Sequence, residues 1–294
     1  MIREGGVGKR MFDACNTIFM IMIIIVTAYP MYYVIVSSFS DPKTLARTNE
    51  VLLWPLKPYT LRAYERVFAN PNIVNGYKNT LFVLVFGVGI NIVMTCLGAY
   101  FLCLKNVRWS VGIMFFIVLT RYFNGGMIPT YLNVRDLGLI DSLWALILPV
   151  AINTYNLIIM RTAFKAVPES LIESAKLDGA RHSTILIRIM LPLCKATIAV
   201  LVLYYGVSHW NSWFNASIYL RRNTLWPLQL VMREILLSTQ QSTAVGGAEL
   251  DELAELAELI KYALIVVGTL PILILYPFLQ KYFVHGVMIG AIKG

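Results

Sequence analysis

Residues 79–104 read NTLFVLVFGVGINIVMTCLGAYFLCL, 26 positions without a charged side chain. At about 1.5 Å of rise per helical residue, such a run crosses the ~30 Å hydrocarbon core of a bilayer. Four more charge-free runs occupy 14–40 (27 residues), 142–160 (19), 196–220 (25) and 262–280 (19). A sixth, 109–134, is interrupted only by Arg121. The 294 residues are 58% hydrophobic and 14% charged, with a mean hydropathy of +0.67. A soluble domain carries roughly 25% charged residues, so most soluble enzymes are excluded. The pattern predicts an all-α polytopic membrane protein with six transmembrane helices, near 12–39, 76–104, 109–131, 142–164, 194–218 and 260–284. The same reading divides the chain into 1–75 (first helix and an outer amphipathic segment), a core over 76–284 and a cytoplasmic tail over 285–294.

The formal charge of +9 is the balance of 25 Lys and Arg, all but Arg121 dispersed through the connecting segments, against 16 Asp and Glu. That is the distribution of membrane anchors, not of a nucleic-acid surface. With both termini in the cytoplasm, the inner segments hold 13 of these cations in 66 residues and the outer ones 11 in 86. The bias agrees with positive-inside ordering, although long loops contribute little to that rule. Cys15, Cys96, Cys103 and Cys194 lack CxxC or metal-type spacing and read as small core residues or free thiols. The first run is too long for a cleavable signal peptide, and no small-residue cleavage site follows Ser37-Ser38-Phe39. Two glycines and a proline in Phe123-Asn124-Gly125-Gly126-Met127-Ile128-Pro129 predict a broken helix. In lipid this is tolerated only where protein or a watery cavity satisfies the freed backbone. An acidic amphipathic helix is expected over 249–258.

The most polar inner segment, 168–192, reads PESLIESAKLDGARHSTILIRIMLP. Pro168 suits a first helical turn, and Glu169 and Glu173 follow where the helix dipole favours anions. Gly179 is placed to end the helix in a left-handed conformation. Ser183 is positioned to cap a second short helix, which Pro192 would stop. The expected object is a helix, a tight turn and another helix projecting between two spans.

Glu173-Ser174-Ala175, Gly179 and Ile189-Met190-Leu191-Pro192 resemble the EAA loop of ABC importer permeases, whose full form is E-A-A-x3-G-x9-I-x-L-P. The spacing matches over all 20 positions, with Ser174 replacing the first alanine. Asp178-Gly179-Ala180 resembles the D-G-A of the carbohydrate-uptake members. Leu143-Trp144-Ala145-Leu146-Ile147-Leu148-Pro149, Trp210-Asn211-Ser212-Trp213-Phe214, Pro227-Leu228-Gln229-Leu230 and the tail from Tyr276 extend the likeness to the maltose-type polysaccharide and oligosaccharide permeases. Ala196 and Arg121 depart from that pattern, standing where proline and an apolar residue are common.

The resemblance implies a type I ABC importer transmembrane domain, localised to the cell membrane. It further implies a similar but non-identical second permease subunit, an ABC ATPase dimer and an extracytoplasmic sugar-binding protein. The chain has no G-x4-GK[ST] phosphate loop, so ATP and magnesium would belong to the ATPase. Glu173, Ser174, Ala175, Asp178, Gly179 and Ala180 would form the ATPase-coupling site, and the glycine-rich tail, Gly286 to Gly294, is a further candidate contact.

A sugar path needs hydrogen-bonding groups beside aromatic faces. Tyr204, Tyr205, His209, Trp210, Asn211, Trp213, Phe214 and Asn215 supply them on the fifth span, Asn153, Tyr155 and Asn156 on the fourth, and Tyr122 and Asn124 on the third. The alternative is that the aromatics anchor at the interface and the asparagines bridge helices. Arg121 lies about 18 Å above the inner hairpin. An intramembrane cation usually faces a cavity or a partner; Arg121 would either favour an anionic sugar or pair with an acid of the second subunit. His182 and His285 read as loop and tail residues. No carboxylate pair, Ser/His/Asp set or metal spacing suggests chemistry on a substrate. An ion-coupled secondary transporter would need embedded carboxylates, and the five uninterrupted runs have none. Amino-acid or peptide import stays open as the alternative within the ABC reading.

Overall fold

The computed structural model describes residues 7–48, 51–104, 107–242 and 257–274. No strand occurs among the described residues. Three helices are long and apolar enough to cross a membrane alone, and three bent pairs bring the number of spans to as many as six.

The chain divides into two units, each described by itself. One takes its described residues from 1–70 and 235–269. Its first helix, α1 (Val7–Ser38), is 32 residues long and exposes apolar residues such as Phe19, Ile21 and Ile25 over most of its length. Outward-facing apolar side chains are what a lipid solvent selects. Past α1 the chain folds back: Ser40 Oγ accepts from Leu56 N–H at 3.0 Å, and Asp41 N–H donates to the Leu56 carbonyl at 3.2 Å. Asp41 then caps α2 (Pro42–Arg47) through Thr44 N–H at 3.0 Å. The following α3 (Arg62–Ala69) buries Ala63 and Val67, four residues apart on one face.

The other unit takes its described residues from 71–234 and 270–274. Its axis is α4 (Pro71–Cys103), whose buried positions Ile73, Gly76, Thr80, Val83, Gly87, Asn91, Thr95 and Ala99 recur every three or four residues. The stripe is mostly small or polar, while Leu81, Val85, Phe86, Val93 and Leu97 are exposed. Small residues let membrane helices approach closely. A Cβ on Gly87 would sit 2.7 Å from His209 Nε2, and one on Gly98 would sit 3.2 Å from Leu157 Cδ1. Gly87 is therefore a condition for the contact with His209, whereas at Gly98 the Leu157 side chain would need to give by only a few tenths of an ångström.

α5 (Ser110–Tyr122) buries no residue and meets α6 (Met127–Asp136) at 117°. Gly126 at φ +93° and an Asn124 Oδ1 that accepts from Gly126 N–H at 2.9 Å make the corner. Short helical turns over 143–150 lead into α7 (Thr154–Lys165) with a 49° bend. After α8 (Glu169–Leu177), α9 (His182–Leu193) meets α10 (Lys195–Trp210) at 83°. The remaining helices are α11 (Phe214–Tyr219), α12 (Leu228–Ser242) and α13 (Ala257–Ile274). The break expected after Phe123 falls at 123–126, the helix expected over 142–164 is broken at 151–153, and the one expected over 194–218 is interrupted at 211–213 and bent from α9 at Cys194. Most of the expected acidic helix, the Lys105–Asn106 turn, the last span beyond 274 and the tail lie outside the described residues.

Candidate translocation cavity and coupling loop

The loop between α7 and α10 is built by local hydrogen bonding. Pro168 stands at the N-cap of α8 in extended geometry, with Glu169 in the first turn. At the other end Gly179 has φ +79°; its N–H donates to the Lys176 carbonyl at 3.0 Å, and Ala180 N–H reaches back to Ala175 at 2.9 Å. This is the two-bond glycine cap of a helix terminus. It accounts for the spacing of the motif: Ala175 supplies the carbonyl, Gly179 the left-handed residue and Ala180 the returning N–H. Ile172, Ala175 and Ala180 pack on the inner core of Leu157, Met160, Phe164 and Ile185. Glu173, Ser174, Asp178 and Gly179 face outward, and Leu177 is 90% exposed.

Two expectations about α9 need correcting. Its N-cap is Arg181 without a side-chain bond, not Ser183, because extended backbone at Arg181 already starts the helix. Pro192 lies inside the helix and does not end it. The preceding turn is widened, with Leu191 N–H reaching Leu186, and this wider turn accommodates the missing proline N–H. The break comes two residues later, at Cys194. His182 is more than a loop residue: its Nδ1 lies 2.9 Å from Tyr100 Oη, tying the loop to the inner end of α4.

The two helices that flank this loop also wall a cavity of about 680 Å³. Arg121 of α5, Asn153, Tyr155 and Asn156 at the start of α7, and Tyr204, Tyr205, Ser208 and His209 of α10 line it, with Pro149, Val150 and Ile152 between. The wall over 147–153 is not regular helix, and side chains satisfy its backbone. Asn91 gives its two amide N–H groups to the carbonyls of Val150 (2.7 Å) and Ala151 (2.9 Å). Its oxygen then accepts from His209 Nε2 at 2.7 Å. Asn153 N–H donates to Tyr205 Oη at 3.1 Å, and Tyr205 meets Thr95 Oγ1 at 2.8 Å. Asn153 Oδ1 caps α7 through Asn156 N–H at 3.2 Å. Irregular backbone at membrane depth is sustainable where protein buries it or a polar cavity wets it, and both conditions hold here.

Arg121 sits in the last turn of α5. The helix C-terminus favours a cation by ~0.3–1 kcal/mol, well short of the ~2.5–3.5 kcal/mol that placing one mid-membrane costs.

The structure does not bring every sequence candidate to this wall. Tyr122 is exposed, and Asn124 is the corner residue of the α5–α6 bend. Trp210 is buried, its ring 6.4 Å from that of Tyr77. Asn211 bonds back to the Val207 carbonyl at 3.0 Å, and Trp213 lies under the Arg233 guanidinium at 4.4 Å. Asn91 and Thr95 are the residues that sequence reasoning passed over. Two polar residues one turn apart in an otherwise apolar span were the available signal.

A second polar construction joins Asp141 to Arg221 and Arg222. Asp141, at φ +60°, accepts from Arg221 N–H (3.1 Å), Arg222 N–H (3.0 Å) and Arg222 Nε (2.6 Å). The Arg222 backbone N–H above all, with its guanidinium and the Arg221 N–H, holds this carboxyl below its ordinary range despite some desolvation.

No protein-family model matches the chain. It is 40% identical over 285 residues to protein LplC of Bacillus subtilis, covering 97% of this chain and 96% of that protein. It is 37% identical over 291 residues to the polygalacturonan/rhamnogalacturonan transport system permease protein YtcP of the same organism, covering 97% and 99%. The chain belongs to the sugar ABC-importer permeases. The permease also shares its fold, at a TM-score of 0.84 and 30% identity, with a chain of a bacterial ABC transporter involved in the import of the acidic polysaccharide alginate, covering 96% of this chain and 99% of that one. It is a membrane-spanning subunit for oligosaccharide or polysaccharide uptake and not an enzyme. Permeases of this kind work with ATPase and binding-protein subunits.

Proposed function

We propose that this chain forms half of the translocation pathway of an ATP-driven oligosaccharide importer, with both termini in the cytoplasm. Its partners are a similar but non-identical permease subunit, an ATPase dimer that holds ATP and magnesium, and an extracytoplasmic sugar-binding protein. The cavity is the passage, and α8 with the Gly179 turn is the surface that docks on the ATPase. One observation carries this reading: α7 and α10, the helices that line the cavity, are the helices that the loop joins. Only three residues, 166–168, separate α7 from α8. A displacement of α8 by a closing ATPase is therefore delivered to the wall at Asn153 and Asn156. Glu173, Ser174 and Asp178 supply polar contacts with the ATPase and Leu177 an apolar one, while Ala175, Gly179 and Ala180 keep the turn in shape.

Gly179→Leu tests the coupling. Nothing approaches within 4 Å of a Cβ at this position, so the damage is confined to the turn. A non-glycine residue in the left-handed region costs about 1–2 kcal/mol. The expected outcome is an assembled complex that hydrolyses ATP with little sugar uptake. Normal uptake per ATP in proteoliposomes would refute the assignment. Labelling Leu177→Cys from the cytoplasmic side only would establish the orientation.

A further inference from the structure

Arg121 differs from every other residue of the cavity wall. It is the one formally charged side chain there, since the wall has no Asp, Glu or Lys. Among the described residues it has no hydrogen-bond or ion-pair partner. Its neighbours are equally suggestive. Asn156 is only 5% exposed, yet its side-chain amide makes no hydrogen bond among the described residues and borders the cavity. Tyr155 and Tyr204 present rings 6.5 Å apart and tilted by 37°. The wall thus combines an uncompensated guanidinium, an unused amide and two aromatic faces, with a volume suited to a few sugar rings.

We propose that Arg121 binds a carboxylate of the passing solute, so that the cavity selects oligosaccharides carrying uronate groups. This rests on the reading of the cavity as the passage. A guanidinium meets a carboxylate through two parallel N–H···O bonds, stronger and more directional than bonds to a hydroxyl. The Tyr155 and Tyr204 rings take the apolar C–H face of a sugar, and Asn156 and Ser208 offer donors and acceptors to its hydroxyls. A neutral sugar offers the guanidinium only hydroxyls and so gains less from it.

The test uses the complete complex of both permease subunits and the ATPase pair. Trigalacturonate and its carboxyl-reduced counterpart, galactotriose, serve as probes. Binding is measured by calorimetry without the binding protein, so that upstream selection plays no part. The wild type should prefer trigalacturonate by roughly tenfold or more, the scale of one hydrogen-bonded charge. Arg121→Met should abolish the preference by weakening trigalacturonate alone, and Arg121→Lys should restore part of it. An absent preference, or one that survives Arg121→Met, overturns the proposal. So does a complex that assembles with Arg121→Lys but with neither Arg121→Met nor Arg121→Gln, because the guanidinium would then be the counterion of a partner subunit. Asn156→Leu separates this failure from failure of the passage reading. If that variant transports both trisaccharides normally, the cavity is not the passage, whatever Arg121 does.

Discussion

The coupling loop and the cavity occupy the two ends of the same helices, α7 and α10, but they are held in opposite ways. The loop closes over itself: Asp178 bonds to Ser174, Gly179 to Lys176 and Ala180 to Ala175, none spanning more than five residues. In the cavity wall, Asn91 reaches carbonyls 59 and 60 residues away, His209 reaches Asn91 across 118, and Tyr205 reaches Thr95 across 110. A substitution at Gly179 therefore disturbs one turn, whereas a substitution in the wall disturbs three segments together.

The largest effect should come from Gly87, where this contrast is sharpest. Gly87→Val drives a side chain into the His209 ring and parts His209 from Asn91. Overpacking of this kind costs about 1–3 kcal/mol before the lost bonds are counted. Expression followed by size-exclusion chromatography should show little assembled complex. The double variant Gly87→Val with His209→Ala should recover assembly, since it clears the space; failure to recover would mean that the α4–α10 contact does not depend on this approach.

Asn91→Leu comes next. It leaves the Val150 and Ala151 carbonyls and His209 Nε2 without their partner, at ~1–3 kcal/mol for each group that stays dry. Thermal unfolding in detergent should fall by more than for Thr95→Val, which loses a single hydroxyl contact. Equal shifts would mean that water already serves the broken backbone.

Gly179→Ala should act more mildly, costing about 1 kcal/mol in stability with assembly intact. The deficit should appear chiefly in sugar moved per ATP, with a melting shift smaller than that of Asn91→Leu. A melting shift as large as that of Asn91→Leu would erase the distinction between a local and a distributed site.

The smallest effect belongs to the Asp141 clamp. Its carboxyl titrates below the ordinary value in the folded chain. The stabilisation is therefore complete above the unfolded carboxylate pKa of about 3.9 and disappears as pH falls through the lower folded value. Comparing unfolding of the wild type and Asp141→Asn at neutral and acidic pH should show the two converging in acid. A constant difference would indicate that geometry at the positive-φ position, and not charge, supplies the clamp.

The same contrast explains what could be read from the residues alone. Six apolar runs, Gly179 as a left-handed terminator and the polar stretch 168–192 are local properties, so the membrane fold and the turn at Gly179 were legible. The breaks near Gly125-Gly126 also carried a signal, whereas Pro192 misled: a widened turn absorbs a proline that local reasoning treats as a stop. Of the aromatic and amide candidates on the fifth span, Tyr205 and His209 reach the cavity but Trp210 and Asn211 do not. Neighbouring positions on a helix point in different directions, and only the packing partners say which direction meets the cavity.

The sequence by itself determined that this chain lives in a membrane, that it carries one long polar loop over 168–192 and that a single cation, Arg121, remains inside an apolar run. Charge, apolar length and turn chemistry act within a few residues, so they need no partner to be read. The tertiary structure alone decided that Arg121 faces an acid-free cavity beside Tyr155, Asn156 and Tyr204, and that Asn91 holds the broken wall together. Those facts depend on how α4, α5, α7 and α10 approach one another, and glycine at 87 and hydrogen bonds across more than 50 positions set that approach.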